Sequence, residues 1–129
     1  MPPPAVLAAF ALSFLLGYLV NFFLNFLMNC VAFWTLETFA MQLMVRWFSD
    51  LLSGQIVPLI FFPGLLQKIV LALPFAAIYS TPLLIYLEKI PPSGYLAAFA
   101  AQIGWCVAFA ALSALVWRAG QQRVVVQGG

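Results

Sequence analysis

Polar residues recur at every fourth position in the first long apolar stretch of the chain. The segment "SFLLGYLVNFFLNFLMN", residues 13–29, places Ser13, Gly17, Asn21, Asn25 and Asn29 in this register, with apolar side chains between them. Each residue of an α-helix advances about 100° around the axis, so positions four apart drift by about 40° per step. The pattern therefore predicts a helix, α1, over about residues 5–31, with one oblique stripe of small and amide side chains that we call the α1 stripe.

The stretch that contains this stripe is long enough to cross a membrane. No charged residue occurs between Ala5 and Leu36, and a spanning helix needs only about 20 apolar residues. We predict a first span over residues 5–31. Small residues allow close helix packing and amides hydrogen-bond across helices, so the stripe is interpreted either as a helix–helix contact or as the lining of a substrate path.

A second segment, residues 36–58, has one polar side. Thr38, Gln42, Arg46, Ser49, Asp50 and Ser53 share that side at helical spacing, and the remaining positions are mostly apolar. Charged residues inside a membrane usually face a bundle interior or a wet cavity. We therefore predict a second span in which Gln42, Arg46, Ser49 and Asp50 line a translocation path or an interface between helices or subunits.

Arg46 and Asp50 are four residues apart and can pair along one helix face. Such a pair has three interpretations: a lock between helices or subunits, a polar lining of the path, or a proton relay. The relay is disfavoured because the sequence contains no histidine, and the other carboxylate of the segment, Glu37, is thirteen residues from Asp50, about 20 Å along a helix.

Prolines divide the third region into pieces too short to span a membrane. They stand at 58, 63, 74, 82, 91 and 92, and each removes a backbone donor and disrupts the preceding turn. We predict a re-entrant hairpin over about residues 62–88, shaped by Gly54, Pro58, Pro63 and Pro74, with one kinked span through 59–87 as the alternative.

The last apolar segment, residues 95–117, predicts a further span in which Gln102 is the one strongly polar side chain. The predicted fold is all-α and integral to the membrane, with three transmembrane helices and the re-entrant hairpin between the second and third, in a single membrane domain. Arg118 and Arg123 follow the last span directly, which favours a cytoplasmic C-terminus. Ala100, Gly104 and Ala108 form a small-residue stripe that suits a neighbouring helix.

Composition agrees with this class and excludes several others. The 129-residue chain is 66% hydrophobic and 6% charged, whereas soluble domains average about 25% charged residues. A net charge of +2 provides no basic patch, so nucleic acid is not expected as a partner. Without histidine or a catalytic, metal-binding or phosphate-loop motif, we expect no enzyme activity, no cofactor and no metal site. Cys30 and Cys106 lie in apolar runs and are interpreted as small buried hydrophobes.

The central segment resembles a known family. "FWTLE" is followed by "LLSGQIVPLIFFPGLLQKIVLALPF", and the chain ends in "WRAGQQRVVVQGG". These features resemble the C-terminal half of ABC-2 type transporter permeases, in particular a bacterial family once described only as a domain of unknown function. The matching positions are Ser53, Gly54, Pro58, Leu59, Phe62, Pro63 and Leu66, followed by Leu73, Pro74 and Phe75.

The resemblance implies a six-span permease whose last two spans are separated by a re-entrant hairpin on the outer side. Two permease copies would pair, and cytoplasmic ABC ATPase subunits would drive export across the bacterial inner membrane. The three predicted spans would be the fourth, fifth and sixth, with the N-terminus outside and the C-terminus cytoplasmic. Permeases of that family are considerably longer, so we expect a fragment, a truncated gene or one half of a split permease.

The resemblance leaves the substrate open. Two other functions fit the sequence: a stand-alone small multi-span transporter that acts as a homo-oligomer, and a non-transporting membrane assembly subunit. In each case the chain would be in contact with membrane lipid.

Overall fold

The computed structural model describes residues 1–35 and 37–128, and these residues form α-helices joined by short turns. The helices are α1 (Pro4–Val31), α2 (Thr38–Leu52), α3 (Gly64–Ala72), α4 (Pro74–Ile78), α5 (Ser80–Tyr86) and α6 (Tyr95–Gly128). Short 3-10 turns occur at Leu59–Phe61 and Pro92–Gly94. The described part of the chain is thus all-helical, as predicted.

Helices α1 and α6 run parallel, since Ser13 contacts Gln102 and Phe26 contacts Trp117 further along both helices. Both are long and apolar enough to cross a membrane. α1 has 28 residues and α6 has 34, against a requirement of about 20. α1 closely matches the predicted first span. α6 begins where the last span was predicted but continues beyond Trp117 to Gly128, because the Gln, Arg and Ala residues that follow favour helix and no proline interrupts them.

Helix α2 is shorter than the span predicted for residues 36–58. Its 15 residues rise about 22 Å at 1.5 Å per residue. It ends at Leu52 because Gly54 adopts a left-handed conformation with φ +85°, where a side chain would be strained. A Cβ at Gly54 would also lie 2.5 Å from the Ser80 Oγ, so this position has room only for glycine.

The proline-rich region contains three short helices, of nine, five and seven residues. Leu73 is extended, with ψ 153°, as expected for a residue that precedes proline, and Pro74 then starts α4. A second break occurs at Tyr79. Pro82 has no N–H to offer to the carbonyl four residues earlier, which leaves the carbonyl of Ile78 without its usual helical donor.

Helix α5 lies along the N-terminal half of α1. The rings of Phe10 and Tyr86 are 5.3 Å apart between centroids, whereas Ile78, at the other end of this segment, packs near Val20 and Leu24. The chain therefore passes the middle of α1 at the Tyr79 break and then runs toward the N-terminal end of α1.

The core lies where α1, α4 and α6 meet. Val20, Leu24, Ile78, Cys106 and Phe109 are buried together. Large apolar side chains elsewhere face outward along α1, α2 and α6, as expected for helices in contact with lipid. The thiols of Cys30 and Cys106 are both buried and free, in agreement with their interpretation as small hydrophobes.

A polar groove, an apolar pocket and a buried junction form the candidate functional site

The α1 stripe has two different environments along its length. Ser13 and Gly17 are buried, Asn21 is half-buried, and Asn25 and Asn29 are exposed. The N-terminal part of the stripe packs against α4, α5 and α6, whereas the C-terminal part faces α2 across an open groove. Both interpretations of the stripe, helix packing and cavity lining, therefore have a structural counterpart in different parts of it.

A polar junction forms around Gln102 of α6, whose side chain is fully buried. The Ser13 hydroxyl donates a hydrogen bond of 3.0 Å to the Gln102 Oε1. The Gln102 Nε2 donates to the backbone oxygen of Ser13 at 3.0 Å and to that of Ala77 at 2.8 Å. One amide thus ties α1 and α6 to the broken segment between α4 and α5.

Gly17 completes the polar junction because it lets the backbone of α1 approach this break closely. A Cβ at Gly17 would lie 2.6 Å from the carbonyl oxygen of Ile78 and 3.0 Å from that of Ala77. Irregular backbone at membrane depth is tolerated only where protein or a water-filled cavity covers it. Gly17 and Gln102 provide that cover, so the junction allows a helix break to exist inside an apolar bundle.

A polar groove of about 490 Å³ lies between α1 and α2. Its lining includes seven residues of the predicted candidate sets: Asn21, Asn25, Asn29, Gln42, Arg46, Ser49 and Asp50. The rest of the lining consists of Gln55, Tyr79, Leu24, Met28, Phe39, Leu43 and Val45. The structure thus brings the polar side of α2 opposite the asparagine part of the α1 stripe.

A chain of amide hydrogen bonds runs along the α1 wall of the polar groove. The Gln42 Nε2 donates to the Asn29 Oδ1 at 2.9 Å, and the Asn29 Nδ2 donates to the backbone oxygen of Asn25 at 2.9 Å. The Asn25 Nδ2 in turn donates to the backbone oxygen of Asn21 at 2.8 Å and to its Oδ1 at 3.0 Å. Gln42 is therefore the hydrogen-bonded link between α1 and α2, and the amides are partly satisfied by one another.

Arg46 and Asp50 both line the polar groove, but no salt bridge of 4 Å or less joins them within the described residues. Arg46 is exposed, and Ser49 and Asp50 are half-buried. The predicted pairing along the helix face is therefore not formed, which leaves a cationic and an anionic group separately available in one cavity. Their role in a translocation path remains a prediction.

A second cavity of about 330 Å³, the apolar pocket, adjoins the groove. It is lined mainly by carbon, from Phe10, Phe14, Ile78, Pro82 and Leu83. Its two serine hydroxyls are already engaged: Ser80 donates to the backbone oxygen of Ser53, and Ser53 donates to that of Asp50 at 3.3 Å. Gln55 and Tyr79 line both this pocket and the polar groove.

The four residues predicted to shape the hairpin stand at helix boundaries. Gly54 follows the end of α2, Pro58 precedes the Leu59–Phe61 turn, Pro63 precedes α3, and Pro74 begins α4. Of these, Gly54 also borders the apolar pocket. Among the residues the structure describes, no group of three metal-ligating side chains comes together.

Gln102, Tyr79 and Gln55 are among the site residues that lay outside the predicted sets. Gln102 carried a signal, because a lone amide in a long apolar span needs a buried partner. Tyr79 and Gln55 carried none, since each becomes part of the site only through the break at Tyr79 and the turn after α2.

Comparison with known proteins gives one match. Residues 3–128 match the sequence model of a family described as "ABC-2 family transporter protein". No curated protein and no solved structure matches the chain.

Proposed function

The chain belongs to the ABC-2 transporter family, and from this premise we propose that it is the membrane-spanning permease subunit of an ATP-driven exporter. The observation that carries the proposal is the polar groove, in which the polar side of α2 faces the asparagines of α1. The sequence has no phosphate-binding loop of its own, so a separate cytoplasmic ABC ATPase would supply the energy.

The groove has the chemistry expected of a substrate path. Charged residues within a membrane protein usually face the bundle interior or a water-filled cavity, and mark substrate or ion routes. Arg46, Asp50 and Ser49 are placed in this way in a chain that is 66% hydrophobic. The cavity volume of about 490 Å³ falls within the range of about 300–1,000 Å³ typical of small-molecule sites.

The segment from α3 to α5 would form a re-entrant hairpin at the outer end of the path. Its support is the position of Ile78 against Gly17, near the middle of α1, and of Tyr86 against Phe10, nearer the N-terminus of α1. A segment that runs from mid-depth along the N-terminal half of α1 fits the returning limb of a hairpin. Gly54, Pro58, Pro63 and Pro74 would set its bends and shape the outer gate.

The orientation proposed is N-terminus outside and C-terminus cytoplasmic, in the inner membrane of a bacterium. Arg118 and Arg123 lie at the end of α6 that follows its apolar part, and the Arg123 guanidinium stacks 5.0 Å from the Trp34 ring centre. Tryptophan is enriched at membrane interfaces and basic residues on the cytoplasmic side. Trp34 therefore favours an interfacial position for this end of the α1–α6 pair, and the two arginines favour the cytoplasmic interface.

A second permease copy would complete the path. Every residue of α2, all of them described, is at least partly exposed. A helix that carries Arg46 and Asp50 and has so little cover within one chain requires another protein surface nearby. We therefore propose pairing of two permease copies, with α2 close to the interface.

Thiol accessibility tests whether the groove is part of a wet path, and it requires no identified substrate. In a background with Cys30→Ala and Cys106→Ala, Ser49→Cys and Asn25→Cys should react rapidly in membranes with a charged methanethiosulfonate. Leu15→Cys and Met44→Cys are matched controls, because both side chains are exposed outside the groove and should react slowly from lipid. Equal rates for the two pairs would exclude a water-accessible groove.

Co-purification separates the proposed exporter from the other two functions. We expect an ABC ATPase to co-purify with the chain in detergent. We also expect ATP hydrolysis to change the rate at which the thiol of the Ser49→Cys variant is labelled. A labelled groove in a homo-oligomer without an ATPase would instead indicate a stand-alone transporter. Unchanged ATP-driven export in both Arg46→Ala and Asp50→Ala would contradict the path lining.

A further inference from the structure

The polar groove and the apolar pocket are two adjacent compartments that share part of their lining. Tyr79 and Gln55 line both cavities and stand at their boundary. Tyr79 occupies the break between α4 and α5, with φ −118° and ψ −47°, and about 43% of it is exposed. A side chain at a helix break, with cavity on either side, is well placed to contact a ligand that extends through both.

The two compartments also share one face of α1. At about 100° per residue, Phe10, Phe14, Asn21 and Asn25 fall within about 60° of one another around the helix. The two phenylalanines line the apolar pocket and the two asparagines line the polar groove. From Phe10 to Asn29 the helix rises about 28 Å, so the two compartments together follow α1 for nearly the thickness of a hydrocarbon core, about 30 Å.

The compartments differ in what they offer a ligand. The groove presents the Arg46 guanidinium and the Asp50 carboxylate, which no salt bridge joins within the described residues. The pocket presents carbon, because the hydroxyls of Ser53 and Ser80 are bound to backbone oxygens. One end of the site thus has a separated pair of opposite charges and the other end has an apolar wall.

We propose that this site takes a zwitterionic amphiphile, with its head group in the polar groove and its apolar chain in the pocket past Tyr79. The inference rests on the proposed function and specifies its substrate class. A head group with both charges can satisfy Arg46 and Asp50 together, whereas a singly charged head would leave one protein charge unpaired, which is unfavourable when desolvated. Tyr79 sets specificity, since the ligand's head–chain junction must lie against it.

Photo-crosslinking of the full chain tests the proposal directly. The probe is a lysophosphatidylcholine with a diazirine in its acyl chain, added to protein in phosphatidylglycerol nanodiscs so that the surrounding lipid is not zwitterionic. Adducts mapped by mass spectrometry should concentrate at Phe10, Phe14 and Leu83. Adducts distributed equally over outward-facing positions such as Leu15 and Val107 would overturn the proposal.

Competition identifies which part of the ligand is recognised. Unlabelled lysophosphatidylcholine should displace the probe at concentrations at least about tenfold lower than lysophosphatidylglycerol or the chain-free head group glycerophosphocholine. Equal competition by lysophosphatidylglycerol would overturn the zwitterion assignment. Equal competition by glycerophosphocholine would overturn the role of the apolar pocket.

Two variants and a matched control locate the site. Leu83→Trp should fill the apolar pocket and reduce crosslinking about tenfold, whereas Leu87→Trp, a similarly exposed leucine outside the pocket lining, should leave it unchanged. Tyr79→Ala should reduce the preference for lysophosphatidylcholine over lysophosphatidylglycerol in a chain that still folds. Equal effects of the two tryptophan variants would overturn the proposal. It would also be overturned if cysteines in the groove crosslinked to a second copy of the chain in the absence of the probe, because a second copy would then occupy the groove.

The outcomes also distinguish this inference from the proposed function. If the groove labels with the charged thiol reagent and an ATPase co-purifies, but no localised adduct forms, the substrate class is wrong and the exporter proposal stands. If the groove does not label, the exporter proposal fails independently of any lipid experiment.

Discussion

The two halves of the α1 stripe provide a comparison within one helix. At the polar junction, Ser13 and Gly17 are buried against Gln102 and the carbonyls of the Tyr79 break. Two turns further on, Asn25 and Asn29 face an open groove. The residues share one spacing along one helix, yet one half holds the bundle together and the other borders a cavity.

The difference shows that polar residues of an apolar helix form a packed contact where the neighbouring helices are held closely, and line an open cavity where the neighbouring helix is held loosely. The junction is packed because α6 supplies one buried amide and α4 supplies backbone carbonyls at close range. The groove stays open because α2 is joined to α1 by the Gln42–Asn29 hydrogen bond and little else. Substitutions in the junction should therefore affect stability, and substitutions in the groove should affect mainly function.

Gly17→Ala should have the largest effect on stability. The added Cβ would lie 2.6 Å from the Ile78 oxygen, and backbone cannot move aside as a flexible side chain can, so we expect a loss of about 2 kcal/mol in the free energy of unfolding. Reversible unfolding in mixed detergent micelles measures it. Gly104→Ala is the matched control, because no described atom lies within 4 Å of a Cβ added there. A similar loss in both variants would contradict the close approach.

Gln102→Leu should be the next most destabilising change. It removes three hydrogen bonds and leaves the Ala77 oxygen and the Ser13 hydroxyl without this donor or acceptor. We expect a loss of about 1.5 kcal/mol in the same unfolding assay. Combined with Ser13→Ala, it should be non-additive, since both changes break the same contact. Additive losses, or an equal loss in the exposed control Gln122→Leu, would argue against the junction.

Gln42→Ala should have a small effect on stability and a larger one on helix spacing. The single hydrogen bond to Asn29 is worth about 0.6 kcal/mol in a membrane. Because it is the hydrogen-bonded link between α1 and α2, its loss should broaden the distance distribution between spin labels on the two helices. Met44→Ala, on the exposed side of α2 outside the groove, should leave that distribution unchanged. Identical distributions in both variants would show that other contacts hold α2.

Asn25→Ala should change stability least. Its side chain is exposed and bonds within its own helix, to Asn21, so we expect a change below about 0.5 kcal/mol. The difference between the losses of unfolding free energy in Asn25→Ala and Ser13→Ala measures the contrast between the two halves of the stripe. A larger loss for Asn25→Ala than for Ser13→Ala would reverse the assignment of the packed and open halves.

Local sequence features predicted much of the fold. The uncharged run after Ala5 predicted α1, the apolar run after Tyr95 predicted the start of α6, and prolines 63 and 74 marked the starts of α3 and α4. These features depend on hydropathy, length and the missing proline donor, which are properties of neighbouring residues. The end of α2 was missed, although Gly54 was visible, because the close packing of Gly54 against Ser80 and Leu59 is a tertiary feature.

The candidate site was predicted in parts and assembled only by packing. Helical spacing put Gln42, Arg46, Ser49 and Asp50 on one side of α2, and the structure lines one groove with them. Spacing did not reveal that the i,i+4 charges stay apart, nor that Tyr79 separates the groove from an apolar pocket. Those facts depend on where the proline-broken segment lies against α1.

The sequence by itself determined the membrane character, the long helices and the breaks, because each follows from chemistry within a few residues along the chain. Only the tertiary structure decided which polar positions became a junction and which became a groove. That outcome depends on distant partners: a buried amide 89 positions away in sequence closes one half of the stripe, and the weak attachment of α2 leaves the other half open.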